Sequence, residues 1–197
     1  MHRSNLHARI SPAIVLAATM AASAQAQSRQ VKLEPTQVYT NEPTQFQFPP
    51  KVAEFQRESE LTQYDREGRD IGVGYNNLLQ SVAATVLVYP IAQRPPNDTL
   101  KGHFETCKTE VLNHHAGAKL LAEGKAEVSP GGHKREGLQA AFSSTEVFAH
   151  QRQAVRSELY LFTHGKSFVL FRITYPVRNQ AAAEPPLKAF IDGLPWP

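Results

Sequence analysis

The stretch Ser157-Glu-Leu-Tyr-Leu-Phe-Thr-His-Gly-Lys-Ser-Phe-Val-Leu-Phe-Arg-Ile-Thr-Tyr175 carries the clearest structural signal in this sequence. Residues 155–162 and 168–175 are rich in aromatic and branched side chains. They flank His164-Gly-Lys166, which predicts a β-hairpin closed at those three residues. Large apolar side chains occupy both sets of alternating positions, so we expect both faces of the sheet to be covered near the turn. We assign one face to Leu159, Leu161, Phe171 and Ile173, and the other to Tyr160, Phe162, Phe168 and Leu170.

Three more strands are predicted upstream of this hairpin. Residues 55–64 are mostly polar, as in a strand with one solvated face or at a sheet edge. After a turn at 65–70, residues 71–75 alternate with two glycines on one side, which indicates a bulge or a close backbone approach. Residues 83–89 are continuously apolar, as in a central strand buried on both faces. Four side chains are therefore expected to be fully buried: Val86, Val88, Leu161 and Phe171.

A helix is predicted over about residues 98–116, after a proline-containing loop. Asn97 or Asp98 is suited to cap its N-terminus, and Gly117 suits the C′ position beyond its end. A longer helix that continues to Gly124 is the alternative. Its apolar positions recur every three or four residues and form one stripe: Leu100, Phe104, Cys107, Val111 and His114 or His115.

The hydrophobic period returns to two after this helix. Strands are predicted at 119–128 and 138–147, on either side of the turn Pro130-Gly-Gly132. A short closing helix is predicted at 187–194, begun by Pro185-Pro186, and Trp196 is expected to dock the C-terminus. Strands, one long helix, more strands and a short helix predict an antiparallel α+β domain.

Three segments carry a family resemblance: Ala84-Thr-Val-Leu-Val-Tyr-Pro90, Ser157-Glu-Leu-Tyr-Leu-Phe162 and Arg172-Ile-Thr-Tyr-Pro176. They resemble segments of short uncharacterised exported proteins of proteobacteria. The order of elements over roughly 46–196 is similar to the PsbP-like α/β sandwich. The resemblance implies a sheet with helices on its two faces and a non-enzymatic accessory or interaction role. It carries over no functional residue.

The first 26 residues have the form of a signal peptide. Arg3 and Arg9 form a positive n-region, and the apolar stretch 13–22 follows. Small residues then precede the expected cleavage after Ala26, with Ala24 as the second choice. The apolar run is about half the length that a spanning helix needs, so no membrane span is expected in the mature form. The sequence therefore predicts export to the periplasm or the medium.

The mature chain of 197 − 26 = 171 residues is long enough for one domain. We predict a flexible linker at 27–45, rich in Gln, Thr and Pro, with Val31-Lys-Leu33 as a candidate short strand, and the domain at 46–197. The formal charge of +3 falls to 3 − 2 = +1 without the two leader arginines. The densest basic run, His133-Lys-Arg135, is too short to follow a phosphate backbone, so no nucleic-acid role is expected. Cys107 is the one cysteine, so an intramolecular disulfide is excluded.

The predicted helix contains the one candidate metal site. His103, Cys107, Glu110 and His114 recur at helical spacing on one side, and such pairs can chelate a metal. Cys107, however, lies within the apolar stripe, where a thiol behaves as a small hydrophobe. His114 and His115 lie in the last turn, where imidazole favourably meets the negative end of a helix. No second pair at ligand spacing completes a tetrahedron, so packing is favoured and no metal or other cofactor is expected.

Motifs for catalysis are incomplete. Gly165-Lys-Ser167 lacks the second glycine of a nucleophile elbow. Gly117 and Gly124 are too far apart for a phosphate loop, and Gly72-Val-Gly74 lacks the third glycine of a dinucleotide loop. Glu58 and Glu60 more often solubilise an edge than share a proton. Four residues that could form serine–histidine pairs are interpreted as ordinary solvated residues: Ser143, Ser144, His150 and His164.

These observations favour an exported, non-enzymatic envelope protein that acts by binding an envelope protein or a small ligand. Two alternatives remain open. One is a small exported hydrolase that uses His150 or His164 with a serine, which a deep cleft with convergent polar groups would favour. The other is a carrier of a small apolar ligand, which a dry enclosed cavity would favour. A flat polar surface with one apolar patch would favour the interaction protein.

Overall fold

A computed structural model of the chain describes residues 28–91 and 99–197. The predicted signal peptide and its cleavage site lie outside these residues, as do both predicted N-caps, Asn97 and Asp98. No helix in the described part of the chain is both long and apolar enough to cross a membrane. The elements, in chain order, are β1 Arg29–Lys32, β2 Tyr39–Thr40, β3 Gln47–Phe48, β4 Lys51–Val52, β5 Phe55–Gln63, β6 Ile71–Asn77, β7 Val82–Pro90, α1 Leu100–His114, β8 Lys119–Val128, β9 Arg135–Phe148, β10 Gln151–His164, β11 Ser167–Pro176 and α2 Gln180–Gly193.

One antiparallel sheet organises the described residues. Its strand order is β1-β5-β6-β7-β11-β10-β9-β8, with β4 also paired to β5, while β2 and β3 form a separate ribbon. The two helices pack on opposite faces, because α1 contacts one set of alternating side chains of β11 and α2 contacts the other. The fold is therefore the predicted antiparallel α+β arrangement. β7 is central, and Val86, Val88, Leu161 and Phe171 are each 0% exposed, as predicted.

The β10–β11 hairpin is confirmed, but its turn is one residue shorter than predicted. His164 pairs directly with Ser167, so only Gly165 and Lys166 form the turn. Gly165 has a φ of +58° at the position that type II′ turns reserve for glycine. This register pairs Tyr160 with Phe171, so Phe171 lies on the α2 face with Tyr160 rather than with Leu159 and Leu161. The face assignment predicted for Phe168, Leu170, Phe171 and Ile173 was therefore wrong by one strand register.

Helix α1 is shorter than predicted at both ends. Thr99 is its N-cap, and its Oγ1 accepts a hydrogen bond from the Gly102 amide at 3.1 Å. The helix ends at His114, within the predicted 98–116, and the alternative continuation to Gly124 does not occur because β8 begins at Lys119. Gly117 is not the C′ residue. It supplies a φ of +76° in the turn that leads into β8.

Helix α2 is longer than predicted, because it begins at Gln180 and contains both Pro185 and Pro186. Each proline removes its own amide from the helical ladder and crowds the carbonyl four residues before it, so the helix tolerates the prolines rather than being started by them. The alanine run before the prolines has high helix propensity and forms the first turns. Trp196 packs as predicted, with its ring stacked 6.5 Å from that of Phe171.

The predicted linker at 27–45 is instead part of the domain from Arg29 onward. β1 pairs with β5 from Arg29 opposite Gln63 to Lys32 opposite Glu60. Leu33 is buried, and the Asn41 side-chain amide donates to the Gly68 carbonyl at 2.8 Å. The candidate strand at Val31-Lys-Leu33 overlaps β1, and the open edge of β5 offers this segment backbone partners that local composition does not reveal.

Candidate functional site

The three metal candidates of α1 do not meet at one point. His103 and Cys107 are buried against the sheet, with His103 Nε2 3.6 Å from the Cys107 Sγ. His114 is exposed in the last turn, and Glu110 is 3.2 Å from the guanidinium of Arg172. No group of three or more His, Cys, Asp or Glu suited to a metal occurs among residues 28–91 and 99–197.

His103 is held by the sheet rather than by its helix alone. The Tyr89 hydroxyl lies 2.8 Å from its Nε2, and the Phe168 ring stacks on the imidazole at 4.4 Å. Cys107 therefore has an imidazole beside it, not the wholly apolar environment that its place in the stripe predicted. Both side chains contribute to the core beneath α1.

The serine and histidine candidates are also separated. Ser144 donates to Glu146 at 2.8 Å, and His150 lies exposed in the β9–β10 turn with a φ of +66°. His164 packs between the rings of Phe46 and Trp196. Its burial, with a smaller contribution from the charge of Arg135, lowers its pKa. In the part of the chain that the structure describes, no hydrogen bond joins His150 or His164 to Ser143 or Ser144.

The two carboxylates of β5 have different environments. Glu58 lies over Gly74, where a Cβ would be only 2.4 Å from its Oε2. This is the close backbone approach that the two glycines predicted. Desolvation raises the Glu58 pKa, although a hydrogen bond from Asn76 at 2.8 Å opposes the rise. Glu60 is exposed, so the two acids do not form a proton-sharing pair.

A concave surface lies between α2 and strands β8, β9 and β10, and we call it the α2 groove. Its volume is about 430 Å³. Phe190 anchors α2 over the middle of the sheet, with its ring 4.4 Å from that of Phe55. Towards the β8 edge the lining includes the small side chains of Ala122 and Ala141, which leave space open beside Gln139 and Val128. Leu187 and Ile191 of α2 form the opposite wall.

A buried carboxylate organises the wall of the α2 groove. Glu158 is 8% exposed and accepts hydrogen bonds from three donors. Tyr175 donates at 2.6 Å, Tyr160 at 2.7 Å and the Arg156 Nε at 2.8 Å. These three hydrogen bonds offset part of the desolvation that burial of a carboxylate imposes. We call these four residues the Glu158 cluster.

The charges of the Glu158 cluster are mutually satisfied. Burial alone would lower the pKa of Arg156, but the hydrogen bond and charge of Glu158 outweigh it and raise that pKa. Burial, together with Glu158, raises the pKa values of Tyr160 and Tyr175 well above the usual range. The cluster thus presents fixed polar groups to the groove.

The rim of the α2 groove is predominantly acidic. Its carboxylates include Glu127, Glu184 and Asp192, while Lys188 pairs with Asp192 at 2.5 Å. Sequence reasoning missed this site because the groove is formed by chain segments far apart in sequence. One signal was available: Arg156, Glu158 and Tyr160 place three polar groups on one face of an otherwise apolar strand.

No protein-family model matches the chain, and no curated protein matches it. The solved structures similar to it include a protein of unknown function from Pseudomonas aeruginosa, with 9% identity over 82% of this chain and 97% of that protein, and a TM-score of 0.46. The Ran-binding protein Mog1p of Saccharomyces cerevisiae is 12% identical over 85% of this chain and 92% of Mog1p, at a TM-score of 0.39. The cyanobacterial PsbP of Synechocystis is 12% identical over 73% of this chain and 92% of that protein, at a TM-score of 0.41. At these identities and TM-scores the similarities carry no information about activity, ligand or partner.

Proposed function

We propose that this protein acts by binding and that the α2 groove is its binding site. The observation that supports the proposal is a pre-formed groove of about 430 Å³ with apolar walls and a rigid polar cluster. Ligand sites typically combine such walls with a few fixed polar groups that set orientation. The ligand would be an envelope protein segment or a small molecule with polar groups for the Glu158 cluster.

The two alternative functions receive less support from this groove. Its described lining includes no serine, histidine or cysteine, so a serine–histidine hydrolase would have to use another surface. The groove is open to solvent along the β8 side and carries charged groups, unlike the dry enclosed cavity expected of an apolar carrier. An accessory role through binding therefore fits the geometry better than either alternative.

The groove can be tested by filling it. Glu184 of α2 is exposed and lines the groove, so Glu184→Trp should occupy part of the space without disturbing the core or β8. We expect tagged wild-type protein to retain a binding partner from a periplasmic extract, identified by mass spectrometry, and Glu184→Trp to lose it. Thr109→Trp, on the exposed side of α1 across the sheet, is the matched control. Equal retention of the same partner by both variants would place binding elsewhere.

We also propose that the protein is exported. The supporting observation is the leader at 1–26, with its positive start, apolar stretch and small residues before Ala26. Mass spectrometry of protein from the producing cell should show an N-terminus at Gln27, or at Gln25 if Ala24 is used. A mature protein that retains Met1 would contradict export.

We further propose that His103 and Cys107 serve packing rather than metal binding. This proposal is supported by the contacts of His103 with Tyr89 and Phe168 and by the 3.6 Å distance between its Nε2 and the Cys107 Sγ. Elemental analysis of protein purified without a histidine tag should find no stoichiometric zinc or copper. A near-equimolar metal that disappears in the His103→Ala, His114→Ala double variant would overturn this assignment.

A further inference from the structure

We propose that β8 pairs in antiparallel fashion with β8 of a second copy of this chain, with Gly124 on the two-fold axis. β8 is the last strand of the sheet and pairs with β9 alone within the described residues. Residues 119–125 are all exposed. The outer backbone groups of this strand are therefore a template for another strand.

The sequence of β8 is complementary to itself around Gly124. In the antiparallel register centred there, Glu123 lies opposite Lys125 of the other copy, and Ala122 lies opposite Ala126. Opposite charges in directly facing positions stabilise a strand pair, and this register contains two such pairs by symmetry. A register centred on Glu123 would instead place two glutamates opposite each other, and one centred on Lys125 would place two lysines opposite. The charges thus disfavour both of those registers. A register centred on Ala126 would also pair opposite charges, Lys125 with Glu127, but it would leave Glu123 without a charged partner in the other copy, so Glu123→Lys distinguishes it from the register centred on Gly124.

The paired charges also lie on the same face of the extended sheet. Glu123 forms a salt bridge with Lys108 of α1, so it lies on the α1 face. Lys125 faces Leu138, which packs in the cluster beneath α1, so it lies on that face too. A two-fold axis perpendicular to the sheet keeps each face on its own side. The side chains of Glu123 and Lys125 from the two copies therefore meet.

The remaining positions present no steric obstacle to this contact. A Cβ at Gly124 would meet nothing within 4 Å, and alanines flank the charged pair. Exposed charges and bulges commonly protect edge strands from pairing, and β8 has a register shift between Leu120 and Ala122. That shift lies outside the self-complementary segment 122–126, and in this register the charges attract.

A contact of this kind closes on itself and predicts a dimer rather than a filament. The contact adjoins the α2 groove, because Ala122 and Glu123 also line that groove. The side chains of Glu123 and Lys125 project from the α1 face, so their charge variants change the dimer contact and leave the α2-face side chains of the groove in place. Loss of the dimer with partner retention intact, or the reverse, therefore separates the two proposals.

Sedimentation equilibrium of charge variants tests the register. Wild-type protein should be a dimer, and Lys125→Glu or Glu123→Lys alone should raise the dimer Kd by about tenfold or more, since each replaces two attractive pairs by two repulsive ones. An equimolar mixture of the two variants should recover a heterodimer, because every facing pair is again opposite in charge. Lys119→Glu, outside the self-complementary segment, is the control and should stay dimeric. Circular dichroism confirms that each variant is folded.

Cross-linking tests the axis itself. In a Cys107→Ala background, Gly124→Cys should be joined efficiently to its copy by a short bis-maleimide, whereas Thr109→Cys should not. A wild-type monomer at every concentration, assembly beyond a dimer, or a variant mixture that stays monomeric would each overturn the proposal.

Discussion

Replacement of Glu158 by alanine gives the sharpest test of the buried cluster. The Tyr175 side chain is 0% exposed, so its hydroxyl cannot regain water once its acceptor at 2.6 Å is removed. An unsatisfied buried donor costs about 1–3 kcal/mol. Arg156 also loses its carboxylate, and breaking a fully buried ion pair costs about 3–5 kcal/mol. Because the Arg156 side chain is 21% exposed, it recovers part of that cost through hydration. We therefore expect Glu158→Ala to lower the free energy of unfolding by about 4 kcal/mol.

Glu158→Gln separates the charge from the hydrogen bonds. The amide oxygen still accepts from Tyr175, so mainly the charge is lost, and we expect about 2 kcal/mol. Urea unfolding at pH 7 measures both variants, with the exposed Glu136→Ala as a control that should stay within about 0.5 kcal/mol of wild type. A double-mutant cycle with Tyr175→Phe should give a coupling energy of about 1 kcal/mol or more. Additive effects, or a loss below about 1 kcal/mol for Glu158→Ala, would refute a cluster built on the carboxylate.

Three other outcomes are expected. Gly137→Ala should cost about 3 kcal/mol, because its Cβ would lie 2.3 Å from an aromatic ring carbon, whereas Gly124→Ala should change little; equal urea midpoints would contradict this. Cys107→Ala should cost about 1 kcal/mol, and the native thiol should react slowly with thiol reagents; fast labelling of folded protein would contradict its burial. Burial raises the Tyr75 pKa, so the unfolded chain loses the phenolic proton at a lower pH than the folded protein does. The stabilisation from this group should be complete below about pH 10 and should fall above it. Tyr75→Phe should reduce the slope of unfolding free energy against pH in that range by up to about 1.4 kcal/mol per pH unit. An unchanged slope would exclude this contribution.

Strand positions could be predicted from the sequence, but the register of the hairpin could not. The pattern of residues 155–175 is the same whether the turn has two residues or three. The difference moves Phe171 from one face to the other, because side chains alternate with a period of two. Only the observed pairing of Tyr160 with Phe171 shows which of the two turns is present. The predicted burial of Phe171 was unaffected, since both faces are covered.

The errors at the chain ends have a different physical origin. Residues 29–32 have no strong strand pattern of their own, and their pairing with β5 depends on an edge that the rest of the fold creates. Helix α2 was predicted to begin at Leu187 because the two prolines were interpreted as a start signal. The structure shows that the alanines before Pro185 begin the helix earlier. The strand at 29–32 depends on long-range pairing. The start of α2 depends on local helix propensity, to which the prediction gave too little weight.

The unequal cover of the two sheet faces explains why the groove, rather than another surface, is the candidate site. α1 packs over β9, β10 and β11 on its face, and the other half of that face is closed by the sheet's own side chains. There, Glu58 lies on Gly74 and the Tyr64 ring lies 3.4 Å from a Cβ built at Gly72, so little space remains.

On the other face, Phe190 centres α2 over β5, β6 and β11. The part of this face that α2 does not cover lies over Ala122 and Ala141, whose side chains are too small to fill the space. A buried carboxylate with three donors at this point is costly to maintain for packing alone, since apolar residues would fill the same volume with similar or greater stability. Among the described residues, Glu158 lies beside the part of the α2 face that the helix leaves open. This position therefore favours a role in binding.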